Sequence, residues 1–189
     1  ISISLAKGLV NLSRDQEESR AEETIGKLEN LSEKYPENPE ISISLGKGLF
    51  NLSCHQEESG AEETIGKLEN LSRKYPEIAI LLASGLVNLS CNQEESGAEE
   101  TIGKLENLSE RYPENLGIAI LLAKGLFNLS CNQEESGNQE TIGKLEKLLE
   151  KYPENPEIAI ELASSLFNLS RHQEESGAEE TIGKLENLS

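Results

Sequence analysis

Two kinds of apolar pattern alternate along this chain, and each predicts a different sort of helix. Between residues 118 and 131 the apolar positions Ile118, Ile120, Leu121, Leu122, Leu126, Phe127 and Leu129 fall on more than one face, as in a helix packed on two sides. Between residues 135 and 152 they shrink to one stripe, Ile142, Leu145, Leu148 and Tyr152, at spacings of three, three and four with Glu and Lys between them. That spacing predicts an amphipathic outer helix. The first kind is here called helix A and the second helix B.

Local signals predict where these helices start and stop. Asn38-Pro39-Glu40 and Asn155-Pro156-Glu157 place a capping residue before a proline at the first position of helix A. Ser-x-x-Glu/Gln precedes each helix B, at Ser19/Glu22, Ser59/Glu62, Ser96/Glu99, Ser136/Gln139 and Ser176/Glu179, and predicts a capping box. Tyr-Pro at Pro36, Pro76, Pro113 and Pro153 predicts the end of helix B, because a proline disfavours helical geometry in the residue before it. Small residues recur in both helices, at Gly8, Gly48, Gly85, Gly125 and Ser165 in A and at Gly26, Gly66, Gly103, Gly143 and Gly183 in B. They predict close backbone approach.

The A–B unit occurs five times. Copies begin at Ile1, Ile41, Ile78, Ile118 and Ile158, at spacings of 40, 37, 40 and 40 residues, and the third and fourth agree at 31 of 40 positions. A period of this size predicts an all-α solenoid, in which each pair buries its apolar face against its neighbours. Residues 1–189 are expected to form one such domain, with repeats 1–40, 41–77, 78–117, 118–157 and a truncated 158–189. The linker between the second and third copies is three residues short, at Pro76-Glu77. It is expected to tilt the two halves differently or to fuse helices across a kink. The chain opens inside a repeat without Met and stops inside another. The expectation is a piece of a longer array, or ends that stack on other copies, with any targeting segment lying outside.

Charge narrows the partners. Thirty-five acidic against 17 basic residues give a net charge of −18, which argues against nucleic acid and anionic membrane, since phosphate binding needs a basic footprint. No apolar run approaches the roughly 20 residues of a membrane-spanning helix. Cys54, Cys91 and Cys131 occupy one position in successive copies. Neighbouring helices sit about 8–10 Å apart, beyond the roughly 7 Å reach of a disulfide, so they are expected to be free thiols. Free thiols favour a reducing, cytoplasmic compartment over an extracellular one.

The order of features resembles the tetratricopeptide repeat: Leu82, Ala83 and Leu86 match its first helix, and Ile102, Leu105, Leu108 and Pro113 its second. The period exceeds the family's usual length of about 34 residues, and the expected place for the excess is a longer inter-helix loop around Cys91–Gly97. The resemblance implies a right-handed α-solenoid of antiparallel helix pairs whose concave face, lined by helix A, holds a partner protein or peptide. On that face it places Lys47, Phe50, Asn51, Val87, Asn88, Lys124, Phe127, Asn128, Phe167 and Asn168. The Phe and Val positions would take side chains. The recurring Asn would either grip a peptide backbone or bond a neighbouring repeat in a structural ladder.

Other chemistry is sparse. Asn-Leu-Ser occurs nine times and fits the N-glycosylation acceptor pattern; the outer-helix positions Asn30, Asn70, Asn107 and Asn187 are the candidates, and they keep an extracellular setting open. His55 and His172 lie too far apart to share a metal, and no paired Cys/His spacing suits zinc. No nucleophile–base pair or phosphate loop is present, so neither an enzyme nor a cofactor is expected. The competing expectation is a structural, self-assembling repeat that associates end to end into a filament or rod without a specific ligand.

Overall fold

A computed structural model describes residues 1–173 and 175–188, without the side chains of Glu135, Ser136, Glu175 and Ser176. Among the described residues the regular structure is entirely helical, in two compact units, Ile1–Leu89 and Ser90–Ser189. The first unit holds α1 (Ser2–Arg14), α2 (Glu18–Lys34), α3 (Pro39–Ser53), α4 (Glu58–Lys74) and most of α5 (Ala79–Ser90). The second holds α6 (Glu95–Arg111), α7 (Leu116–Asn132), α8 (Glu135–Lys151), α9 (Pro156–Ser170) and α10 (Glu175–Glu186). Helices pack on their neighbours: α3 against α1, α2 and α4, and α9 against α7, α8 and α10.

The two apolar patterns become two kinds of burial. In helix B the stripe pairs Ile25/Leu28, Ile65/Leu68, Ile102/Leu105 and Ile142/Leu145 are all buried. In helix A, Ile41, Leu45, Leu49 and Leu52 are buried in one unit, and Ile118, Leu122, Leu126 and Leu129 in the other. Burying a Leu or Ile contributes roughly 1.5–3 kcal/mol, so the repeated stripe is the main source of stability.

Successive copies meet in one register within each unit. On helix B, Lys67 Nζ lies 3.4 Å from Glu29, Lys144 Nζ 3.1 Å from Glu106 and Lys184 Nζ 2.9 Å from Glu146, each one copy back. The Tyr75 hydroxyl donates to the Pro36 carbonyl at 3.2 Å, and the Tyr152 hydroxyl to the Pro113 carbonyl at 2.6 Å. Within each unit, helical copies are thereby joined by bonds that reach the same site on the copy before.

The Asn caps form as expected. Asn38 Oδ1 accepts from the backbone N–H of Glu40 at 3.1 Å and of Ile41 at 3.3 Å, and Asn155 Oδ1 from that of Ile158 at 3.0 Å. Asn115 does the same for Ile118 at 3.3 Å although Leu116 stands where the proline would be. Helix B ends at Lys34, Lys74, Arg111 and Lys151, one residue before Tyr-Pro.

Four expectations are corrected. The capping boxes at Ser19, Ser59 and Ser96 do not form: helix B starts earlier, with Glu17, Glu57 and Glu94 as N-caps and no side-chain cap bond. The Ser136 and Ser176 side chains lie outside the described residues. The turn is closed instead by a bond the sequence reading missed, from each helix B Thr hydroxyl back to the Gln before the helix: Thr24–Gln16 at 2.7 Å, and Thr64–Gln56, Thr101–Gln93, Thr141–Gln133 and Thr181–Gln173 at 2.6 Å. Second, the extra length of the repeat lies in the helices, since α2, α4, α6 and α8 each run for 17 residues. The connections are short, Ser53 to Glu58 and Asn132 to Glu135.

Third, the short linker produces a 3-10 turn, Pro76–Ile78, that leads directly into α5 and buries Ile78. Helices α4 and α5 are not fused, because Tyr75 is extended with φ −127° and ψ 92°. Fourth, of the recurring small positions singled out in the sequence, Gly48 and Gly85 of helix A are closely approached, whereas a Cβ at Gly8 would meet nothing within 4 Å. A Cβ at Gly48 would lie 2.7 Å from Ile25 Cδ1 and 2.8 Å from Leu28 Cδ1, and one at Gly85 would collide with Ile65 Cδ1. At Gly26, Gly66, Gly103, Gly143 and Gly183 it would meet nothing within 4 Å.

Candidate binding surface

The A helices carry the candidate residues, and they present them unequally. In the first unit Lys47 and Asn88 are exposed, Phe50 and Asn51 are half-buried, and Val87 is buried. In the second, Lys124, Phe127, Asn128 and Asn168 are half-buried, while Phe167 is 56% exposed. Its ring lies 5.9 Å from the Arg171 guanidinium carbon, within cation–π range.

The recurring Asn engage the preceding copy. Asn51 Nδ2 lies 3.3 Å from the Val10 carbonyl oxygen and 3.3 Å from Ser13 Oγ. Asn88, Asn128 and Asn168 instead donate to the sulfurs of Cys54, Cys91 and Cys131, at 3.3, 3.0 and 3.3 Å. The three cysteines are exposed free thiols, and sulfur is a weak acceptor. The sequence reading had no role for these thiols beyond redox compartment. The usable signal was that Cys and Asn recur three residues apart in successive copies. His55 Nε2, 3.2 Å from the Arg14 carbonyl oxygen, bridges the same boundary in the first unit.

The lysines of helix A face acids in the first turn of the following helix A: Lys7 Nζ lies 3.4 Å from Glu40 and Lys124 Nζ 3.5 Å from Glu157. Glu161, on α9, feels the same lysine. Partial burial raises its carboxyl above the usual carboxylate range, Lys124 pulls it down, and Glu157 pushes it up again. A carboxyl with a raised folded-state pKa destabilises the fold once it ionises, so its penalty is present at neutral pH and vanishes as pH falls below the unfolded carboxylate value. Glu161→Gln is therefore expected to raise the thermal midpoint at pH 7 and to match the parent near pH 3. An equal difference at both pH values would remove ionisation as the cause.

The glycosylation candidates Asn30, Asn70 and Asn107 are exposed on helix B, and Asn187 is exposed in the turn after α10. Among the described residues no helix is long and apolar enough to cross a membrane, and no group of three or more His, Cys, Asp or Glu is placed to hold a metal ion. Comparison with protein-family models, curated proteins and solved structures gives no match for this chain.

Proposed function

We propose that the chain is a protein-interaction scaffold, a right-handed solenoid of antiparallel pairs resembling tetratricopeptide repeats, whose concave face holds a partner segment along helix A. The observation that carries this reading is the phenylalanines of helix A, Phe50 in the first unit and Phe127 and Phe167 in the second. Phe50, Phe127 and Phe167 stay partly or largely accessible while the leucines beside them, Leu49, Leu126 and Leu166, are at most 2% exposed. Aromatic side chains left accessible among polar neighbours are the usual anchors of an interface. Lys47, exposed on helix A of the first unit, suits an acidic or neutral partner there, whereas Lys124 is held by Glu157. In this reading the Asn amides, committed through Nδ2 to the copy behind, set the stacking register.

The test is Phe127→Ala with Asn128→Ala, read by pull-down of a bound partner and by circular dichroism. Loss of an anchor is expected to weaken capture by at least about 30-fold with helicity unchanged. Full capture by the double variant would remove this surface from consideration.

A second reading, a self-assembling structural repeat, has its own observation. Leu5 and Leu12 of α1 are 52% and 50% exposed, and Ile182 of α10 is 47% exposed, where the equivalent Leu45, Leu52 and Ile142 are buried. Such faces fit a further copy stacked end to end. Filaments on a grid, or scattering that rises with concentration, would favour this reading; a monomer at all concentrations would count against it.

A further inference from the structure

The first and last copies carry the two halves of a joint that the first unit already makes between copies one and two. There Gly48 of α3 is a notch filled by α2: a Cβ at Gly48 would lie 2.7 Å from Ile25 Cδ1 and 2.8 Å from Leu28 Cδ1. Asn51, one turn further on, donates to the Val10 carbonyl at 3.3 Å and lies 3.3 Å from Ser13 Oγ, both on α1. Ser44, Leu45, Gly48 and Leu52 are buried, and Asn51 is half-buried.

The first copy repeats the notched half. Ser4, Leu5, Gly8, Asn11 and Leu12 of α1 match Ser44, Leu45, Gly48, Asn51 and Leu52 one for one. All five are exposed, and a Cβ at Gly8 would meet nothing within 4 Å. The last copy repeats the filling half. Residues 178–188 are identical to residues 21–31, but Ile182 is 47% exposed where Ile25 is 3%, and Leu185 is half-exposed where Leu28 is fully buried. The Ser170 hydroxyl donates to the Phe167 carbonyl at 2.9 Å, as that of Ser13 does to Val10. Arg171, like Arg14, stands where the three middle copies have Cys.

Each of these faces holds what the other is shaped for, and each is apolar enough to gain by being covered. Pairing like with like would set Gly8 against Gly8 and leave the notch empty. We propose that the chain binds a second copy of itself head to tail, with Ile182 and Leu185 of one molecule seated over Gly8 on α1 of the next. The contact continues the joint between copies one and two, and it is heterologous. It brings Asn11 to the Phe167 carbonyl and Ser170 Oγ, and Lys27 to Glu186, as Lys67 Nζ meets Glu29 at 3.4 Å. The proposal rests on the self-assembly reading above and adds to it which face meets which.

Sedimentation velocity of the full chain over a range of concentrations is the test. The parent is expected to associate more as concentration rises. Gly8→Leu fills the notch. Leucine adds helix propensity at an open position and also adds apolar surface, so the variant folds, and non-specific association would grow. Seating over Gly8 predicts the opposite, association weakened at least about 100-fold. Ile182→Glu, at a position solvent already reaches, is expected to do the same from the other side. Each variant keeps the face the other has lost, so their equimolar mixture is expected to form one joint and stop at a heterodimer. Circular dichroism checks helicity; if Ile182→Glu loses any, Ile182→Ala takes its place. Association of Gly8→Leu at parent strength, or a mixture that stays monomeric, overturns the proposal. Loss in Gly8→Leu with full association in the Ile182 variant means that like faces pair, so self-assembly stands and the head-to-tail register falls. A parent that is monomeric at every concentration overturns both and leaves the two faces to a different protein.

Discussion

Replacing Gly26, Gly66, Gly103 and Gly143 together by alanine is expected to raise the thermal midpoint by about 6–12 °C. Each of these residues lies in the interior of a 17-residue helix B, and a Cβ there would meet nothing within 4 Å. The substitution therefore adds no clash. It removes the excess backbone freedom of glycine, for about 0.8–1 kcal/mol per site. The four sites lie in different helices with no shared partner, so the gains should add to about 3 kcal/mol, and each kcal/mol moves the midpoint of a chain this size by roughly 2–4 °C. Gly48→Ala is the control. Its Cβ would press on Ile25 and Leu28, both nearly fully buried, and overpacking of that kind costs about 1–3 kcal/mol, which cancels the helical gain. Differential scanning calorimetry decides the matter: a four-alanine chain that melts at or below the parent would show that helix B needs its glycines.

The glycines also show where sequence reading stops. Duplication copies a residue whether or not it is used, so recurrence alone did not separate Gly48, pressed against Ile25, from Gly66, which faces open space. What was legible rests on rules that act over a few residues. The Asn38 and Asn155 caps, the helix ends before Tyr-Pro and the buried Ile142/Leu145 stripe each follow from spacing within one turn or two. The capping box is also a local rule, yet Thr24 and Gln16, eight residues apart, join only after the turn between A and B is made. With Glu17 as the N-cap, that bond closes the turn and Ser19 falls inside the helix.

The candidate surface was legible in part for the same reason. Spacing placed Phe50, Asn51, Phe127, Asn128, Phe167 and Asn168 on helix A, but how far each is covered depends on the neighbouring copy. Val87 is buried where Phe167 is exposed, although both occupy one position of the repeat. The acceptors of the Asn amides lie 34 to 41 residues back. That distance is invisible to any local pattern, and it was open only to a reading that compared what each copy places beside the next.

Leu145→Ala is expected to destabilise the second unit by about 3–5 kcal/mol, and Leu185→Ala by only about 1 kcal/mol. The two leucines occupy the same position of helix B, and Leu145 is completely buried whereas Leu185 is half-exposed. Their partners in the stripe diverge in the same way, with Ile142 2% and Ile182 47% exposed. Truncating a leucine that is closed in on all sides removes its transfer free energy and leaves a cavity. At Leu185 solvent already reaches the side chain, so less transfer energy is lost and no closed cavity forms. Since a whole domain is stable by only about 5–15 kcal/mol, the first substitution should bring the second unit close to unfolding and the second should barely register. Urea denaturation distinguishes the two by a large fall in midpoint for Leu145→Ala at unchanged slope. Equal losses at both positions would mean that intrinsic helix stability, and not the packing of one copy on the next, sets what each leucine contributes.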